Sequence, residues 1–155
     1  MELLLIRHAK AEPYAISDSA RALTHKGREQ AGKIGGFLRA HQLLPDVTLA
    51  SPLVRARETA EIFCAAAGID GPIIEPWLAC GMRPASAMSE LSAYKDFQRV
   101  AIVGHEPDFS YLAEWLLGVQ AGAIHVRKAS MILFSNVRPP SQGACLEMMV
   151  PVSAV

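Results

Sequence analysis

Two short apolar runs in this chain each end in a histidine. Residues 3–8 read Leu-Leu-Leu-Ile-Arg-His, and residues 100–105 read Val-Ala-Ile-Val-Gly-His. A short continuous apolar run is the pattern of a strand buried on both faces, the kind found in a parallel sheet covered by helices. Ligands of such sheets sit outside the carboxyl ends of the strands. Both histidines fall at that end, so the two imidazoles are expected in one pocket. Arg7 states what the pocket should hold. A guanidinium is a permanent cation with a planar fork of donors suited to phosphate oxygens. The expected cargo is a phosphoryl group, and the expected nucleophile is His8.

Periodicity along the rest of the chain alternates between strand and helix. Strands are expected at 2–7, 47–50, 72–75 and 99–103, with two closing strands at 129–135 and 144–150 joined by a Pro-Pro-Ser-Gln-Gly turn. Helical stretches fall between them. In 27–41 the residues Ala31, Ile34, Phe37 and Leu38 share a face, and in 53–67 so do Leu53, Ala56, Ala60, Phe63 and Ala67. Further helices are expected at 84–94 and 107–117, with Pro107 in the first turn of the latter. Gly35 and Gly36 each weaken the first helix by roughly 1 kcal/mol relative to Ala, and close packing on the sheet explains them.

At 155 residues the chain is expected to form a single domain, 1–155, with a real core. Lysine plus arginine balance aspartate plus glutamate at 15 each, so no global field recruits nucleic acid or an acidic membrane surface. Aromatics at only 6% give nucleic acid no stacking platform either. No apolar run is long enough for a signal peptide or a membrane span. Cys64, Cys80 and Cys145 are odd in number and far apart, which reads as reduced thiols in a cytoplasmic protein. A monomer or weak dimer fits this composition.

Four segments carry candidate chemistry. His8 must be neutral to attack phosphorus, with one ring nitrogen free and the other held by a hydrogen bond. Neighbouring cations help by opposing its protonation. In Ser51-Pro-Leu-Val-Arg55-Ala-Arg-Glu-Thr-Ala60 the Ser-Pro pair opens a helix, whose start presents unpaired N–H groups. Arg55 in its first turn completes a phosphate clamp, with Ser51 at its edge. Gly104 permits a tight strand exit, so that His105 can donate to a phosphoryl oxygen and stabilise developing charge. Glu106 and Asp108 suit the positive end of the next helix. Arg21, in the long loop after the first strand, is a further substrate contact. Lys10, Arg127 and Lys128 stand outside this assignment as candidate partner contacts.

These residues resemble the histidine phosphatase superfamily, the group that includes the phosphoglycerate mutases, and within it the short SixA-type phosphohistidine phosphatases. The resemblance rests on Leu5-Ile-Arg-His-Ala-Lys10, Ser17-Asp-x-x-Arg21-x-Leu-Thr24-x-x-Gly27, Ser51-Pro-x-x-Arg55-Ala-x-x-Thr-Ala60 and Val103-Gly-His-Glu-Pro-Asp108, in that order. It implies a three-layer α/β/α fold with a mostly parallel mixed central sheet, as in phosphoglycerate mutases. It implies a nucleophile at His8, a transient phosphohistidine, and Arg7, Arg55 and His105 around the phosphoryl group. No metal or cofactor is expected. Two positions depart from the superfamily pattern. Ala9 replaces the usual glycine after the histidine. Moreover, the region Ala79-Cys-Gly-Met-Arg-Pro-Ala-Ser holds no carboxylic acid where phosphomonoesterases place one.

The missing acid bears on the substrate. An alkoxide leaving group has a conjugate acid near that of bulk water, pKa ~15.7, and departs slowly without a proton. An imidazole leaving a phosphohistidine has a conjugate acid near ~6.5 and needs little help. The site therefore suits P–N cleavage better than P–O cleavage, although Glu106 is an alternative proton source. Little spare sequence remains for a lid, which suits a phosphorylated side chain on a partner protein over a small phosphomonoester. Two competing readings use the same residues. A metal hydrolase built on His8, His105 and Glu12 or Asp108 would place a dication beside Arg7 and Arg55, which repel it. A phosphate-binding module would keep the arginines but would not need His8.

Overall fold

The computed structural model describes residues 1–155. Six strands form one sheet: β1 Glu2–Arg7, β2 Val47–Ala50, β3 Ile73–Ile74, β4 Arg99–Gly104, β5 Met131–Ser135 and β6 Cys145–Val150. Their order is β3-β2-β4-β1-β5-β6. β1 and β2 both pair in parallel with β4, and β3 pairs in parallel with β2. β5 is antiparallel to both β1 and β6, so it alone runs against the rest. The sheet is mixed and mostly parallel, as expected.

Four helices cover it: α1 His25–Ala40, α2 Val54–Ala67, α3 Pro84–Leu91 and α4 Asp108–Leu117. The pleat of β1 shows how. Leu3 and Leu5 pack with Met88 and Leu91 of α3 and Phe109, Leu112 and Leu116 of α4. Leu4 and Ile6 point the other way, to Ala31, Ile34 and Leu38 of α1 and Ala56, Ala60 and Phe63 of α2. All four β1 side chains are fully buried, each stabilising the fold by about 1.5–3 kcal/mol relative to exposure. A strand apolar on both faces thus organises both cores. No helix is long and apolar enough to cross a membrane.

Several boundaries differ from those the sequence predicts, each for a local reason. α1 begins two residues early because the Thr24 hydroxyl accepts from Gly27 N at 3.0 Å, an N-cap. α2 begins at Val54, after Leu53, because the Ser51 hydroxyl accepts from Leu53 N and holds residues 51–53 in a turn. Pro107 stands just before α4 instead of inside its first turn. The third strand shrinks to two residues, since Glu75 N reaches the Ala50 carbonyl but Pro76 then starts a 3-10 turn. The 84–94 stretch divides into α3 and a 3-10 turn at Ser92–Tyr94. β5 starts at Met131, because Ala129 holds a left-handed φ of 56° that breaks the strand.

The paired glycines of α1 also need correction. A Cβ at Gly35 would lie 2.4 Å from the Phe63 carbonyl oxygen, so Gly35 permits close approach to α2, not to the sheet. Gly36 faces open space and serves no packing at all.

Candidate active site

Strand register brings the predicted residues to one edge. Arg7 pairs with Gly104 across β1 and β4, and His8 N donates to the Gly104 carbonyl at 3.0 Å. His8 and His105 therefore leave adjacent strands side by side, their ring centroids 5.4 Å apart. On the far side of β4, Ser51 N donates to the Val103 carbonyl at 3.0 Å, which sets the β2 exit, and the α2 start behind it, beside His105. Arg55 in the first turn of α2 is buried with them.

Hydrogen bonds define the state of His8. Its Nδ1 lies 2.8 Å from its neighbour Ala9's carbonyl oxygen, which can only accept, so Nδ1 carries the proton. Nε2 is left with its lone pair. Burial pulls the pKa of this imidazole down to about 3, and the charges of His105, Arg55 and Arg7 push the same way against the Ala9 bond. Ala9 itself is fully buried and avoids positive φ, so alanine fits where the family's glycine is usual. Its N–H donates to the Thr59 hydroxyl at 3.0 Å, and Thr59 in turn donates to the Arg55 carbonyl at 2.7 Å. This bridge ties the His8 strand end to the Arg55 helix.

His105 is held by Ser51, whose hydroxyl lies 2.8 Å from Nε2. Its Nδ1 is buried without a partner, as are Nε of Arg7 and Nε of Arg55. Unpaired buried nitrogens are costly, and here all three belong to residues gathered at this one edge of the sheet. Burial first, then Arg55, lowers the His105 pKa to about 4. Burial also lowers that of Arg7, opposed by the charge of Glu106.

The remaining candidates sit one step back. Ser51 is fully buried and reaches His105. Arg21 binds Asp18 Oδ1 and the Glu12 carbonyl, each at 3.0 Å. Asp18 holds Arg55 by its carbonyl at 2.9 Å and its Oδ2 at 3.1 Å. The hydrogen bond from Arg21, followed by the pull of Arg55, keeps the Asp18 carboxyl below its ordinary range. Glu106 accepts from Ser110 N at 2.9 Å and Ser110 Oγ at 2.5 Å, so both its oxygens are engaged at the start of α4. Asp108 accepts from Gly81 N and Met82 N at 2.9 and 3.2 Å and thereby fixes the segment that lacks the acid. In that segment Cys80 Sγ lies 3.7 Å from Arg55.

Asp18 and Thr59 are the residues that sequence reasoning passed over. Both stand inside motifs already quoted. Thr59 lies four residues after Arg55 on the same helical face, a usable signal. Asp18 reaches Arg55 only through the tertiary fold, which no local pattern reports.

A histidine pair flanked by the buried Arg55 and the half-buried Arg7, at the carboxyl edge of a mostly parallel sheet, is the arrangement expected of proteins that handle phosphoryl groups. The sequence profile of the histidine phosphatase superfamily (branch 1) matches residues 3–79. An uncharacterised protein of Mycobacterium tuberculosis is 38% identical over 110 residues, 70% of this chain and 67% of that protein. The phosphohistidine phosphatase SixA of Escherichia coli is 26% identical over 115 residues, 72% of this chain and 71% of that protein. The solved structure of the protein histidine phosphatase SixA complexed with tungstate superposes with a TM-score of 0.89 at 20% identity, covering 99% of each chain. The chain belongs to the histidine phosphatase superfamily, and its fold is SixA-like.

Proposed function

We propose that this chain is a metal-independent phosphatase whose His8 attacks phosphorus, and that its substrate is phosphohistidine on a partner protein. The Nδ1–H bond from His8 to the Ala9 carbonyl carries this reading, because it leaves Nε2 as the only attacking nitrogen. In the first step the Nε2 lone pair forms a bond to phosphorus as the bond from phosphorus to the substrate imidazole breaks. That imidazole, protonated on its other nitrogen, leaves as a neutral ring. Water then attacks the His8 phosphoryl group, releasing inorganic phosphate and returning Nε2 to its free state. Arg7, Arg55 and the Nδ1–H of His105 bind the phosphoryl oxygens and stabilise the charge that gathers there. Ser51 and the Arg21–Asp18 pair hold His105 and Arg55 in place.

Two observations favour a phosphohistidine over a phosphomonoester. The segment beside Arg55 offers Cys80, whose thiol pKa is raised mainly by burial, and no carboxylic acid. The Glu106 oxygens are both occupied by Ser110. An alkoxide would leave this site without a ready proton, whereas imidazole requires none. The likeness to proteins named as phosphohistidine phosphatases supports the same substrate.

The test compares kcat/KM for a phosphohistidine-bearing transfer protein with that for a panel of phosphomonoesters, before and after chelator treatment. The transfer protein should be the better substrate, at a rate the chelator leaves unchanged. Equal or faster turnover of any phosphomonoester overturns the substrate assignment, and loss of activity on chelation overturns metal independence.

A further inference from the structure

The net charge of zero conceals an uneven distribution. Arg21, Arg28, Arg55, Arg57 and Arg99 each lie within 4.0 Å of a carboxylate. The cations along the Arg7 side of the phosphoryl pocket do not. A cleft of about 350 Å³ opens there, lined by Arg7, His125, Arg127 and Lys128 among others, and no carboxylate lines it.

Its basic wall is built into the strand end that carries His8. The Arg7 guanidinium donates to the Val126 carbonyl at 2.8 Å. Ala129 N donates to the carbonyls of both Arg7 and His8, at 3.1 and 3.2 Å, while Arg7 N donates to the Ser130 carbonyl at 3.2 Å. Val126 and Ala129 are buried, but His125, Arg127 and Lys128 between and beside them are exposed. The left-handed turn at Ala129 thus projects a basic segment into solvent immediately beside the nucleophile. An adjoining cleft adds Lys26, Lys33, whose ammonium donates to Val155 O at 3.3 Å, and Glu29, which lies 3.0 Å from His25.

We propose that this cleft binds aspartate and glutamate side chains flanking the phosphohistidine of a partner protein. The inference rests on the substrate reading above and adds the chemistry of its surroundings. Arg7 is shared between cleft and phosphoryl pocket, so a chain with its phosphohistidine at His8 passes the cleft within a few residues. Exposed cations spread along a groove suit several carboxylates in turn. They do not form a closed cage for a single anion. Charges at such a rim act mainly by steering and orienting the encounter, and salt weakens them.

Two synthetic phosphohistidine peptides test this, one with aspartates on both sides and one with serines in their place. Wild-type protein should hydrolyse the aspartate peptide with a kcat/KM about 10-fold higher, from a few rim charge pairs. The preference should shrink in roughly 0.5 M salt. In the Arg127→Gln, Lys128→Gln double variant the ratio of kcat/KM for the aspartate peptide to that for the serine peptide should fall to about 1. Equal kcat/KM for both peptides in wild type, or a preference that survives the double variant, overturns the cleft assignment alone. Hydrolysis of phosphomonoesters but of neither peptide overturns the substrate reading along with it.

Discussion

At the residue scale, His8 illustrates how a sequence of ordinary residues produces a reactive one. Free imidazole would be partly protonated near neutrality, with a pKa of about 6.5. Burial first, with the nearby guanidinium groups of Arg55 and Arg7 acting in the same direction, takes His8 down to about 3 and His105 to about 4. Both are therefore neutral throughout the physiological range, the state that their proposed roles as nucleophile and donor require. The same shifts make a prediction about stability. Between about pH 6.5 and the folded-state values, the unfolded chain binds protons at both positions and the folded chain does not. Stability is therefore full above about pH 6.5 and declines as pH falls from there toward the folded-state values. Urea unfolding midpoints at about pH 7 and pH 4.5 should show this decline. His8→Gln should reduce it by removing one of the two groups. An identical decline in wild type and variant would mean that His8 is not held in its neutral form by the fold.

At the element scale, α1 packs directly against α2, the helix whose first turn carries Arg55. Gly35 permits it, since its missing Cβ would collide with the Phe63 carbonyl and the Ala66 side chain. Gly36, one residue on, points into open space. Gly35→Ala should destabilise the protein by about 1–3 kcal/mol or more, because backbone cannot yield as a side chain can. Gly36→Ala should stabilise it by about 1 kcal/mol through helix propensity. Urea titration of both variants checks the opposite signs; a gain in both would mean that the helices separate without cost. The sequence shows two adjacent glycines in a helical pattern and no way to tell them apart. What separates them is a contact between residues distant in the chain. The six strands and four α-helices were legible as such, because apolar run length and period are local properties, whereas the 3-10 turn at Ser92–Tyr94 was not. Boundaries were less so, since Thr24, Ser51 and Ala129 set them through individual hydrogen bonds and one left-handed turn.

At the scale of the whole molecule, three parallel strands bring His8, Ser51 and His105 to a common edge from positions far apart in sequence. The recurrence of a histidine after two buried runs made that convergence readable in advance. Arg7 and Arg55 were readable too, since a strand end and a helix start are the places where a fold presents charge to an anion. The contact of Asp18 with Arg55 was not, and although Arg127 and Lys128 stood out as candidate partner contacts, their place beside Arg7 was not readable either. Both depend on loops whose course is decided by tertiary contacts, Arg21 with Asp18 in one case and Arg7 with Val126 in the other. The result is a histidine pair and two guanidinium groups at one sheet edge, with Asp18 against Arg55 and no carboxylic acid in the 79–86 segment beside it. Under the proposed reading, such a site takes a phosphoryl group whose leaving atom departs without a proton.

The central claim is that the phosphoryl group passes through His8. Rapid mixing with a radiolabelled phosphohistidine protein, followed by an alkaline quench, measures it directly. Label on the wild-type chain that is stable to base, labile to acid and absent from His8→Asn is the predicted result. Phosphate release without label on the wild-type chain, or equal label on His8→Asn, would contradict it.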